Sequence, residues 1–162
     1  MSNKKLVFKN AKIITPMRII DNGVLIVNEN KIADVGSEDK VKVPQNAGII
    51  DVSGRYLAPG FIDIHIHGGG GADTMEGTEE AIEKISIVHA QGGSTSLVLT
   101  TNTAPMEDII KALEGIELAK RKRLKGAQVL GAHIEGPYFS LKQKGAQNPK
   151  FLKEPNPQEY LK

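Results

Sequence analysis

From Phe61 onward strand and helix patterns alternate, and that alternation limits the possible fold more than any other feature of the chain. Strand patterns run from Phe61 to His67, Ser94 to Thr100 and Ala127 to Glu135; helical patterns fill Thr78 to Gln91 and Pro105 to about Arg123. This order predicts βαβ units, and so a parallel sheet with helices against it. Thr78, ahead of Glu79 and Glu80, is placed to cap the first helix, with Gly92-Gly93 past its end. In the second helix Thr103 is placed to cap and Pro105 stands near the start. Met106, Ile109, Ile110, Leu113 and Ile116 there trace one apolar face.

Residues before Pro59-Gly60 read differently. Short strands at Leu6 to Ile14, Gly23 to Asn28, Lys31 to Val35 and Ile49 to Val52 are separated by turn residues such as Pro16, Asp21-Asn22-Gly23 and Pro44-Gln45-Asn46. With only 4% aromatic residues in the chain, such an all-β unit has a thin core and needs more strands or another domain to pack on. The expected division is 1–57 and 58–162. A closed barrel of eight βα units takes about 250 residues, and Leu141 to Lys162, with Pro149, Pro155 and Pro157, reads as loop. Three strands are therefore expected to form an incomplete object, or one that borrows elements from elsewhere.

Composition narrows the function. Of the 162 residues 40% are hydrophobic and 25% charged, and the formal net charge is +2, so no general field favours nucleic acid or an acidic membrane. The basic run Lys120 to Lys125 falls at a helix C-terminus, where cations are favoured and solvated. The start, Met1 to Phe8, lacks a long apolar run, so no signal peptide or spanning helix is expected and a cytoplasmic location is the simplest. There is no cysteine, so a metal site must be built from His and carboxylate.

Such a site has candidates. In Phe61 to His67 the period of two puts Ile62, Ile64 and Ile66 on one face, suited to a helix-covered surface, and Phe61, Asp63, His65 and His67 on the other. Imidazoles at i and i+2 either form an ordinary polar strand edge or converge on one cation. At the end of the third strand His133 and Glu135 share a face, and Glu135 stands last before Gly136-Pro137. A buried carboxylate needs a cation: a metal shared with His65 and His67, or a lysine such as Lys142 or Lys144. His133, one step deeper, reads as a hydrogen-bonding support, and His89 as a complement to its helix dipole. Gly68 to Gly71 matches no phosphate-binding pattern and reads as a flexible or close-packed loop.

Two stretches carry a resemblance. Ala58-Pro59-Gly60-Phe61-Ile62-Asp63-Ile64-His65-Ile66-His67-Gly68 resembles the opening of the amidohydrolase superfamily. Ala132-His133-Ile134-Glu135-Gly136-Pro137-Tyr138, followed by Lys144-Gly145-Ala146-Gln147-Asn148-Pro149, is similar to its N-acetylglucosamine-6-phosphate deacetylases. The resemblance implies an α/β fold: the first strands of a metal-dependent hydrolase (β/α)₈ (TIM) barrel, preceded by part of a small β-sandwich domain. It implies removal of acetate from N-acetylglucosamine 6-phosphate in amino-sugar recycling, and commonly a homodimer. Glu135 then matches the glutamate that binds the catalytic divalent metal, zinc or iron first among the choices. His65 and His67 match the pair that builds a second metal position in some members, and Ala146 and Gln147 match a substrate-contacting loop pair. Many members have His where this chain has Gln147.

In that chemistry a metal lowers the pKa of bound water from about 15.7 to about 7 and polarises the acetyl carbonyl, while a carboxylate moves the proton to the leaving amine. The family draws that carboxylate, a late aspartate, and two further histidines from later in the barrel, and no match to them occurs before Lys162. This chain alone is thus expected to bind metal weakly and to lack a competent site. Another amidohydrolase, such as a cyclic-amide hydrolase or a deaminase, is the enzymatic alternative. A non-catalytic module that folds by exchange with a partner copy is the other.

Overall fold

The computed structural model describes residues 5–161; Lys162 and the basic start Met1 to Lys4, on which part of the leader reading rests, lie outside the described residues. The chain divides into two compact units at the Pro59/Gly60 junction.

In the first unit Leu6–Ile14 (β1), Ile19–Asn28 (β2), Lys31–Ser37 (β3), Gly48–Asp51 (β4) and Tyr56–Leu57 (β5) form one sheet. Its order is β3-β2-β1-β4, with β5 also paired to β1. The first three strands are antiparallel neighbours, whereas β4 and β5 run parallel to β1. Asp21-Asn22-Gly23 is a bulge inside β2 and not the expected turn: the β1/β2 register slips there and Asn22 adopts a φ of 46°, which asparagine tolerates better than most residues. The core is small, centred on Val7, Val24, Ile26 and Val41 with Val43 and Ala47 packed against them.

The second unit contains Phe61–Ile66 (β6), Gly68–Gly69 (β7), Ala72–Asp73 (β8), Glu79–Gln91 (α1), Ser94–Thr100 (β9), Met106–Lys120 (α2), Gln128–His133 (β10) and Pro157–Tyr160 (α3). The order β10-β9-β6, all parallel, is what alternating strand and helix predicts. One face of this sheet packs against both long helices, burying Ile66, Leu97, Leu99 and Val129 with Ile82, Ile85 and Ile116. The other face is left to the polar groups described below.

Several local expectations change. Thr78 Oγ1 accepts from Ala81 N at 3.2 Å and caps α1 as expected. Thr103 does not cap α2: the N-cap position is Pro105, two residues on, and Thr103 is buried. The second helix ends at Lys120 and the third strand at His133, so Glu135 lies beyond the strand in the following loop. The isoleucine face does not hold either. An extra residue between Asp63 and Ile66 slips β6 against β9, so Ile66 comes level with Leu99 under the helices while Ile62 pairs with Ser96. Ile66 is 7% exposed, Ile62 61% and Ile64 69%.

The glycine run is a tight hairpin: β7 pairs with β8, and Gly70 and Gly71 have φ of 62° and 79°. Two successive positive φ values are what a two-residue hairpin turn of matching twist requires. The tail expected to be loop holds two single 3₁₀ turns and the one-turn helix α3.

Candidate metal centre

Three strand ends of the second unit bring the chemistry together. His65 lies in β6 and His67 one residue past its end, where the hairpin starts; Thr74 N donates to His67 O at 2.7 Å and His89 Nε2 sits 3.0 Å from Gly68 O. His89 therefore ties down the segment after His67, a contact that its position near a helix end did not disclose.

Glu135 is fixed by the segment that follows β9. Thr101 N donates to His133 O at 3.0 Å, and Glu135 N lies 3.3 Å from Thr101 Oγ1. Gly136 has a φ of 83°, and a Cβ there would stand 2.1 Å from Thr103 Oγ1, so only glycine lets the backbone turn this close behind Glu135. Thr101 and Thr103 are positioning residues that the sequence reading missed. The run Thr100-Thr101-Asn102-Thr103 at the end of a parallel strand was the available signal.

The side chains converge. His65 Nε2 is 2.8 Å and His67 Nε2 3.3 Å from Glu135 Oε2, and the two Nε2 atoms are 3.3 Å apart. One donor atom from each residue falls within 4.8 Å of the others, so His65, His67 and Glu135 form a group able to hold a metal ion. The expected lysine alternative is not realised: among the described residues the basic groups within 4 Å of Glu135 Oε2 are these imidazole nitrogens, and Lys144 Nζ donates to Gly145 O.

The directions of approach matter as much as the distances. Oε2 of Glu135 is buried and, although both imidazoles are near, accepts no hydrogen bond among the described residues. The two ring nitrogens are within hydrogen-bond geometry of each other but not of the carboxylate oxygen that lies beside both. A buried carboxylate oxygen that accepts no hydrogen bond is poorly satisfied; a cation would supply the missing partner. The donor set of two imidazole nitrogens and one carboxylate oxygen accepts zinc, iron, manganese or cobalt.

Around this group, the His133 ring packs edge-on against His65 with centroids 4.7 Å apart, and its Nδ1 is 3.4 Å from Thr100 Oγ1. His133 sits beside the donor group without joining it. Gln147 reaches Glu135, its Nε2 donating to Oε1 at 2.5 Å. Ala146 is exposed in the same loop. His65, His133 and Glu135 line a cleft of about 950 Å³ together with Ile109 and Leu113 of α2 and Tyr138.

Comparison with known proteins extends the picture. The sequence model of the amidohydrolase family matches residues 56–161. The chain is 38% identical over 153 residues to N-acetylglucosamine-6-phosphate deacetylase of Bacillus subtilis, an alignment covering 93% of this chain and 38% of that protein. It is 37% identical over 111 residues to N-acetylgalactosamine-6-phosphate deacetylase of Escherichia coli O157:H7, covering 68% and 29%. The crystal structure of N-acetylglucosamine-6-phosphate deacetylase from Pasteurella multocida superposes with a TM-score of 0.85 at 28% identity, covering 97% of this chain and 41% of that one. The chain thus spans less than half the length of the relatives that it matches.

Proposed function

The chain belongs to the amidohydrolase family, and we propose that its second unit carries part of the metal site of a deacetylase acting on N-acetylglucosamine 6-phosphate. In this reading residues 58–162 supply the first three βα units of a (β/α)₈ barrel and residues 1–57 part of a small β-sandwich. His65, His67 and Glu135 hold zinc or iron, as one ion or two, and the Ala146-Gln147 loop borders the sugar. A homodimer, which rests on resemblance, and a cytoplasmic setting, which rests on the sequence reading, belong to the same proposal.

The observation that carries it is the buried Oε2 of Glu135, without a hydrogen bond and flanked by two imidazole nitrogens. A divalent metal, when bound, supplies Lewis acidity toward an amide carbonyl and acidifies water to a pKa of about 7. The protein's own part is to present neutral Nε2 lone pairs from His65 and His67 and one charged oxygen from Glu135. Thr101 and the Gly136 turn hold that carboxylate in place. The apolar wall of α2 lowers the polarity beside it. The galactosamine relative favours the epimeric amino sugar as a second substrate reading.

Zinc titration of the chain against a chromophoric chelator tests the proposal. About one equivalent is expected to bind, with affinity at least tenfold lower (about 1.4 kcal/mol) in the variant carrying His65→Ala and His67→Ala. Equal binding by both proteins overturns it. Since two later histidines and the late aspartate have no match in this chain, residues 1–162 alone are expected to release no acetate from the substrate.

A further inference from the structure

Gln147 holds both ends of its amide in fixed company. Its Oε1 accepts from Thr103 N at 3.0 Å, and its Nε2 donates to Glu135 Oε1 at 2.5 Å. A backbone N–H can only donate, so the amide oxygen must face Thr103 and the NH₂ must face the carboxylate; the orientation follows from the network. Thr103 in turn is buried and backed by the Gly136 turn. The carboxylate of Glu135 is thereby divided: Oε1 is occupied by a neutral donor, and Oε2 is left for the point that His65 and His67 also face.

We infer that Gln147 is a positioning residue that fixes Glu135 as a one-oxygen metal ligand, a role distinct from the sugar contact assigned to its loop. The inference rests on the metal reading above. A neutral donor on Oε1 orients the carboxylate without neutralising it, so the full charge stays available to a cation, whereas a lysine or arginine there would compete for it. One amide hydrogen suffices for this bond, and the second N–H remains for a sugar hydroxyl, so the two roles are compatible.

The test compares zinc affinity, by chelator competition, in the parent chain and in Gln147→Ala, Gln147→Met and Gln147→His, with circular dichroism to establish folding. Ala and Met remove the donor, and each is expected to weaken zinc binding about 10- to 100-fold. His restores a neutral N–H and is expected to recover most of the loss. Ala and Met variants that are folded and bind zinc as the parent does overturn the inference, as does a loss that His does not recover. Should the truncated variants fail to fold, the side-chain NH₂ signal of Gln147 in the parent decides by NMR. A shift on zinc addition supports the role, and a signal unmoved while zinc binds contradicts it. A parent that binds no zinc instead overturns the metal reading itself, an outcome separate from parent-like binding in the variants.

Discussion

At Glu135 the two oxygens of one carboxylate have different surroundings, Oε1 paired to Gln147 and Oε2 buried without a hydrogen bond. Glu135→Gln keeps the shape and removes the charge. In the metal-free chain its stability is expected to stay within about 1 kcal/mol of the parent, because the lost carboxylate was poorly compensated. Zinc affinity is expected to fall at least tenfold, about 1.4 kcal/mol. Urea unfolding in the presence of chelator and zinc competition read the two effects separately; a large stability loss with zinc binding intact would contradict the assignment. His65 and His67 were legible because alternation along a strand is a local rule. The contact between Gln147 and Glu135 was not, because it depends on Thr103 and on a turn that places residue 147 back over residue 135.

Among the elements, β6 shows where local rules stop. Its period-two pattern is real in the sequence, yet the slip between Asp63 and Ile66 moves Ile66 alone under the helices. Ile66→Ala is therefore expected to destabilise by about 2–5 kcal/mol, and Ile64→Thr by no more than about 0.5 kcal/mol; similar losses at both positions, measured by urea unfolding, would restore the unslipped register. Bulges of this kind answer to the neighbouring strand, which a single strand's pattern does not contain. The helices were more legible, since Thr78 caps where its residue type and the following glutamates predict.

The one-turn helix α3 was invisible as such, because four residues carry no periodicity. It is tied to the loop after β10 by Tyr138, whose hydroxyl donates to Glu159 Oε2 at 3.0 Å while Lys153 Nζ donates to Oε1 at 2.7 Å. Burial, and then the bond to Glu159, push the Tyr138 phenol above its usual range. The neutral phenol is thus favoured by folding, so its contribution to stability is complete below the ordinary phenol pKa. That contribution declines as pH rises through the elevated one. Tyrosinate absorbance is expected to lose its latest-titrating component in Tyr138→Phe, and an unchanged titration curve would count against this anchoring.

On the scale of the whole molecule, the change in sequence pattern at Pro59-Gly60 lies where the chain divides into two compact units, two residues after the expected 57/58 boundary. With no cysteine in the chain, metal donors are limited to imidazole and carboxylate, and the described residues include a group of that kind. Both imidazoles of that group lie at the C-terminal end of β6, in the same stretch as exposed Ile62 and Ile64. In the proposed site a divalent cation sits where His65 Nε2, His67 Nε2 and Glu135 Oε2 converge. Anomalous diffraction at the zinc edge from crystals of the chain grown with zinc tests it most directly. A peak about 2.0–2.2 Å from all three atoms is expected. A peak elsewhere, or none at this group while zinc is bound in solution, would contradict it.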